Sequence, residues 1–557
     1  MSSFSRTTRL LMAGTACMLL ASCGGADDVA SPGAGSIGVI INPPAVTPTP
    51  TGPSTPTPLT AAQFALATTQ NGVTITADEQ LALVNAGQNN VVNGFGTTLS
   101  GVYPVNGTSL ATASNPTTLG SFFQNTSYVG ALSGPNDNAF SGWTCNSSSA
   151  TFVGSTACTA VPAIGTAASG AACPTGTTTA TGAANSATAA TIGGFKVCDI
   201  PQQITTSLTL PRIAGIAYRF TGLTEVGGDV GSTGADSGVT LTVQPGVTVF
   251  ANANESSNDV LLINRGSRIN ATGTADAPII FTAQQNLVSN GTSDSSQGLW
   301  GGIILLGRAP TAVCATGTGP NNAGGTSTTC QQQIEGVANR FYGGANQADN
   351  SGTLQYVQIR YTGIAISEGN ELQGLTLGGT GSGTTIDHVQ SHNSADDGVE
   401  IFGGTTNLRY FVVTGADDDG FDVDNGWRGF MQFIIAAQKA GGSTADSFAT
   451  EIDSNGAEDL LPRTYGRYAN FTFVQTNSAP SAIRLRGGAD FAFVNGIVKT
   501  AVGASCINII AGNTVTENGA TRAATGNERS TIRTRDDNLQ DVGPPTFNSV
   551  YFQCQGR

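Results

Sequence analysis

Ser394-Ala395-Asp396-Asp397-Gly398-Val399-Glu400-Ile401-Phe402-Gly403-Gly404 is echoed by Ala416-Asp417-Asp418-Asp419-Gly420-Phe421-Asp422-Val423-Asp424-Asn425-Gly426, so that Gly398 and Gly420 stand 22 positions apart. The same offset links Ile386, Leu408 and Phe430, and again Val389, Phe411 and Phe433. Apolar residues thus recur in columns, and an acidic Asp-Gly turn recurs between them. Short apolar stretches punctuated by Gly and Asp at roughly 20–25 residues read as coils of a solenoid, none of which buries its apolar side alone. The alternatives are a β-sandwich or a propeller, and propeller blades need about 40 residues per repeat.

Upstream, the regular pattern begins near Leu208. Leu241-Thr-Val243-Gln-Pro245-Gly246-Val247-Thr-Val249-Phe250 alternates around a Pro-Gly turn. Leu261 to Ile269, with Arg265-Gly266 at its middle, leads to Gly273-Thr-Ala-Asp276-Ala-Pro278-Ile279-Ile-Phe281-Thr282, and then to Gly298-Leu-Trp300-Gly301-Gly302-Ile303. Gly and Pro hold the corners while β-branched residues fill the straight segments. This succession of blocks resembles bacterial right-handed parallel β-helix proteins. Its continuation through Ser351–Tyr361 and the Asp-Asp-Gly turns looks like a family of exported bacterial lipoproteins without settled activity. The resemblance covers roughly residues 200 to 500. It implies an all-β chain, a right-handed parallel β-helix over 201–557, preceded at 60–200 by a disulfide-containing cap or flanking region. The Tyr128-Val-Gly-Ala131 to Gly142-Trp-Thr-Cys145 stretch, which lies at the far end of such relatives, precedes the helix here.

In a parallel β-helix, residues one coil apart stack about 4.8 Å from each other. Alternation then turns Val399 with Phe421, and Ile401 with Val423, inward. Glu400 with Asp422, and Phe402 with Asp424, face outward. Thr450-Glu451-Ile452-Asp453 and Ile483-Arg484-Leu485-Arg486 continue the motif. The expected outward ladder is Glu400, Asp422, Glu451 and Arg484, flanked by Phe402, Asp424, Asp453 and Arg486. Like charges stacked opposite one another destabilise a sheet even at a wet surface, so something must offset them. One candidate is Ca²⁺ held by the acidic turns at Asp396, Asp397, Asp418 and Asp419, since this ion takes six to eight oxygens. A network with the arginines is a second, and solvated turn-forming aspartates are a third.

The chain opens as an export signal at 1–22, with Arg6 and Arg9 ahead of an apolar run, Leu10 to Ala21, too short to span a bilayer. Leu20-Ala21-Ser22-Cys23 resembles a lipobox, which implies lipidation at Cys23, and Gly24 in place of Asp points to the outer membrane. Residues 23–59, dense in Pro and Thr, read as an extended tether lifting the body off its anchor. Of the 557 residues only 11% are charged and 74 are Gly, which suits a turn-rich β body. A net charge of −14 argues against nucleic acid as partner, because phosphate neutralisation needs clustered Lys and Arg. Beyond Cys17 and Cys23 eight cysteines remain, and local pairing suggests Cys145–Cys158, Cys173–Cys198, Cys314–Cys330 and Cys506–Cys554. Zinc is the other reading, but no CxxC spacing supports it.

Polysaccharide lyases of this fold combine carboxylate-bound Ca²⁺ with an arginine base, and β-helix glycosidases use outward aspartates. The Gly-His-Gly motif of the latter is missing, and His388 and His392, the only histidines, read as surface or turn residues. No Ser-His-Asp or Cys-His set and no phosphate-binding Gly loop stands out. Trp427 and Tyr410 are candidates for a sugar-stacking platform, or for corner packing. The expected function is capture of an extracellular glycan or other nutrient, with an outer-membrane uptake system as partner. A carbohydrate-active lyase or hydrolase and an adhesive stalk are the alternatives.

Overall fold

A computed structural model describes residues 52–60, 64–66, 87–94 and 98–554, apart from 163–164, 167–169, 184–185, 187, 253–258, 316–326, 368–369, 440–446, 455–459, 477–480, 510–513, 518–519, 524–541 and 543–544. The export signal, Cys23 and most of the tether lie outside the described residues. The body is a parallel β-helix. One sheet orders its strands as 64–66, 505–509, 481–485, 450–452, 421–424, 399–402, 375–378, 303–306, 260–263, 223–226 and 203–204, every pair parallel. A right-handed sense for the coils follows from the twist of the strands.

The remaining walls change character along the axis. In the early coils, strands such as Arg268–Thr272 and Ile279–Ala283 are separated by a turn. A single strand, Gly352–Arg360, then pairs with both of them. It turns the corner at one residue, Tyr356, with φ at 53°. Later coils repeat the device at His388, Tyr410, Phe433, Asn470, Asn495 and Ser549, all with φ between 51° and 58°. A left-handed backbone costs an L-residue about 1–2 kcal/mol. The first four corners offset that by stacking, with ring centroids 4.4 Å (Tyr356–His388), 4.3 Å (His388–Tyr410) and 4.7 Å (Tyr410–Phe433) apart. His388 is therefore a packed corner residue rather than a surface one. His392 is fully buried and bonded to the Thr414 hydroxyl at 2.9 Å.

The register bears out the columns Ile386–Leu408 and Val389–Phe411, but the next coil aligns Leu408 with Met431 and Phe411 with Ile434. Phe430 and Phe433 are displaced by one place. Four residues separate Val399–Phe402 from Asn407–Thr414, whereas five separate Phe421–Asp424 from Phe430–Ala437. The added residue lies in the turn that holds Trp427.

The segment ahead of the helix covers its far end and then runs back along its flank. Phe64–Leu66 pairs with Ser505–Ile509, and Gln88–Asn89 and Val92–Asn93 pair with Thr546–Gln553. From there the chain crosses the corner row as a strap that puts Trp143 and Phe140 against the stacked rings. Side-chain amides of the helix grip the strap's backbone in pairs. Gln390 accepts from Cys145 N at 2.6 Å and donates to its carbonyl at 3.1 Å, Gln432 grips Gln124 at 2.8 and 2.7 Å, and Asn495 grips Ser114 at 2.8 Å both ways. All four expected disulfides are formed.

Gly352 shows how tightly neighbouring coils approach. Its φ is +117°, and a Cβ there falls 1.9 Å from the Ile269 carbonyl oxygen. Gly352→Ala is expected to cost roughly 3 kcal/mol through backbone strain and a clash that the sheet cannot relieve. A guanidinium-chloride midpoint equal to that of the unaltered protein would refute this close approach.

Candidate functional site

The acidic motif folds as a ladder because inward apolar residues fix its register. Val399, Ile401, Phe421, Val423, Ile452, Ile483 and Leu485 all sit in the core. Their outward neighbours align as Thr376, Glu400, Asp422, Glu451, Arg484 and Asn508. Phe402 faces Asp424 in the adjacent column. Farther along that edge Arg486 reaches Asp453 at 3.2 Å.

The turns that precede these strands are stitched coil to coil. Gly398 N donates to the Asp419 carbonyl at 2.8 Å, while the Asp397 carboxylate accepts from Asp419 N at 2.9 Å. Asp419 repeats the pattern with Phe448 N at 2.5 Å. Asp397 and Asp419 therefore act partly as turn formers. The carboxylates nevertheless converge, with oxygens of Asp396, Asp397 and Asp418 all within 4.8 Å of one another, and those of Asp397, Glu400 and Asp422 likewise.

A water-exposed wall was the expectation, but the structure roofs it. Asp396, Asp397, Glu400 and Asp419 are each under 9% exposed, while Asp422 and Asp424 keep a partly open side. Segments inserted between coils bring in Glu335, Glu371 and Gln373, and Gln373 donates to Glu400 at 2.6 Å. Burial first, and then mutual repulsion, pushes these acids toward the protonated form. Asp396 rises to about 8 and Glu335 to about 7, while Asp424, raised by burial against the pull of the Asn425 backbone N–H and Arg486, reaches about 6. Asp397, Glu400, Asp419 and Asp422 move in the same direction for the same reasons. The Asp396 Oδ2 atom is buried without a hydrogen-bond partner.

The two ends of the ladder differ. Glu451 meets Arg484 at 3.2 Å and Arg486 at 2.5 Å. Among the described residues, Asp396, Asp397, Glu400, Asp419, Asp422 and Asp424 form no ion pair. Arginine thus neutralises one end, while the other is a dense, buried, oxygen-only set of the type that suits a hard cation. Burial alone would lower the Arg486 pKa, but Glu451 and Asp453 reverse this and hold it firmly protonated.

Two expected site residues belong elsewhere. Trp427 is fully buried, its indole N–H donating to the Thr406 carbonyl at 3.0 Å, so it offers no stacking face. Gly429 and Gly466 leave the space that lets the ring fold inward, since a Cβ at either would meet it within 2.6 Å. Tyr410 lies in the corner row under Phe140, on a different wall from the acids. Glu335, Glu371 and Gln373 escaped sequence reasoning because no periodic spacing connects them to the ladder.

Neither a curated relative nor a solved structure matches the chain. A family model described as a pectate-lyase-like β-helix domain matches residues 229–542, which include both acidic turns and the arginine end, and that match is compatible with a carbohydrate-related role. By that match over more than half its length, the chain belongs to the pectate-lyase-like β-helix domain family.

Proposed function

We propose that this is a surface-displayed lipoprotein, anchored in the outer membrane through Cys23, that captures an extracellular glycan and hands it to an outer-membrane uptake system. In this reading Ca²⁺ belongs to the acidic turns, with Asp396, Asp397, Asp418, Glu400 and Asp422 as its holders. The carrying observation is the asymmetry of the ladder: arginines answer Glu451 and Asp453, and no cationic side chain among the described residues pairs with Asp396, Asp397 or Glu400. A bound divalent ion would supply the missing positive charge and present it, with the neighbouring arginines, to oxygen-rich sugars.

Capture is favoured over a lyase reaction by the state of the arginines. A lyase base must give up its own proton first, and the paired carboxylates at Arg486 oppose that. The test incubates the full-length protein, with and without Ca²⁺, with acidic and neutral polysaccharides while following binding and products. Calcium-dependent, saturable binding without new ends is expected. Unsaturated or reducing ends in the products would convert the assignment to an enzyme. Absence of both binding and products would leave the stalk.

A further inference from the structure

On the corner that follows the acid-bearing strands, away from the acidic turns, two arginines line a polar cleft of about 380 Å³ together with Gln347, Thr405 and Pro462. Arg428 and Arg467 flank one aromatic ring, their guanidinium carbons 5.5 and 4.5 Å from the centroid of Tyr465, and Arg467 also lies 3.9 Å over Phe430. Among the described residues neither forms an ion pair. Arg428 donates once, to the Arg463 carbonyl at 2.9 Å, and the rest of its fork makes no other hydrogen bond there. The Arg467 Nε is buried without a partner. The nearby acid, Asp490, is buried and receives Val542 N at 2.7 Å.

In a chain with 37 acidic and 23 basic residues, two adjacent arginines that pair with no carboxylate among the described residues, with Asp490 acting on Arg428 only at a distance, are a cost that packing alone does not explain. Burial lowers the pKa of both, Arg467 to about 10. Stacked, planar, half-buried forks with free donors fit an oxyanion, because a carboxylate or sulfate satisfies several N–H groups at once while the rings hold each fork in plane. The cleft is in the size range of small-molecule sites. We infer that Arg428 and Arg467 form an oxyanion-binding site, separate from the acid ladder, for a carboxylate- or sulfate-bearing ligand the size of a sugar unit.

Calorimetry on the full-length protein in chelator, with glucuronate, inorganic sulfate and glucose as separate probes, tests this. Saturable binding of glucuronate, sulfate or both is expected, weakening as salt rises, with none for glucose. Glucuronate alone assigns a carboxylate, sulfate alone a sulfate group, and both together a general oxyanion site. Arg467→Lys, which keeps the charge but loses the fork, and Arg428→Gln are each expected to weaken binding at least about tenfold. Arg268→Gln, which removes an arginine outside the cleft that is already paired with Asp236, is expected to leave it unchanged. In the unaltered protein, the bound anion is expected to shield Arg428 and Arg467 from phenylglyoxal, read by peptide mass, which guards against a variant that fails to fold. Binding of neither anion, equal binding of glucose, or binding indifferent to both arginines overturns the assignment. An equal loss with Arg268→Gln takes the anion out of the cleft and overturns it too.

Discussion

Stripped of divalent ions, the protein is expected to melt about 3–5 °C lower at pH 8.5 than at pH 6.5, and saturating Ca²⁺ is expected to flatten that slope. The sign follows from where the protons reside. An unfolded Asp releases its proton near 3.8, whereas folded Asp396 keeps its own until about pH 8 and Glu335 until about 7. Across that window the folded chain holds more protons, so raising the pH favours unfolding. Asp397, Glu400, Asp419 and Asp422 pull the same way. Glu225 and Asp236 are shifted downward by arginine partners, so their contribution is lost only in acid, below this range. His392, buried with its pKa near 3, costs stability only as the pH falls below about 6.5. Starting the comparison there limits its influence. A cation seated among the carboxylates replaces their protons and removes the dependence. A melting temperature that rises from pH 6.5 to 8.5 in chelator, or that ignores Ca²⁺ at pH 8.5, would falsify the metal assignment.

The ladder was legible because a β-helix turns sequence spacing into vertical distance. Once Val399 pairs with Phe421 and Ile401 with Val423, Glu400 and Asp422 have no choice of neighbour. Arg484 could be placed beside Glu451 across an insertion for the same reason, with Ile452 and Leu485 acting as the key. Where spacing changes inside a turn, a fixed offset no longer marks stacked residues. The extra residue around Trp427 displaced Phe430 and Phe433, and the same turn took the tryptophan inward. The roof was illegible for a different reason. Glu335, Glu371 and Gln373 come from insertions whose positions depend on tertiary packing, which apolar periodicity does not encode. The strap was hidden too, because glutamine and asparagine side chains hold it through its backbone, and a backbone carries no sequence signal.

Replacing Arg484 and Arg486 together by leucine is expected to destabilise the protein by roughly 3 kcal/mol at pH 7.5, and by clearly less at pH 5. Glu451 has only 8% of its side chain exposed and is in register with Asp422. Without the two arginines it becomes a buried carboxylate facing another carboxylate. Breaking a buried pair from one side costs about 3–5 kcal/mol. The lower figure applies because 37% of the Arg486 side chain meets solvent, which screens its share. Glu451, with both arginines gone, then takes up a proton in mild acid, which is why the penalty shrinks at pH 5. Glu451→Gln in the same background removes the buried negative charge, so a double-mutant cycle is expected to recover most of the loss. This outcome separates the roles open to the arginines. Groups kept free for proton abstraction would be replaceable with little change in the denaturant midpoint, and the cycle would show no coupling to Glu451. Charge partners that close one end of an acidic ladder must show both, and the carboxylates around Asp397 then remain as the seat the proposed function gives to Ca²⁺.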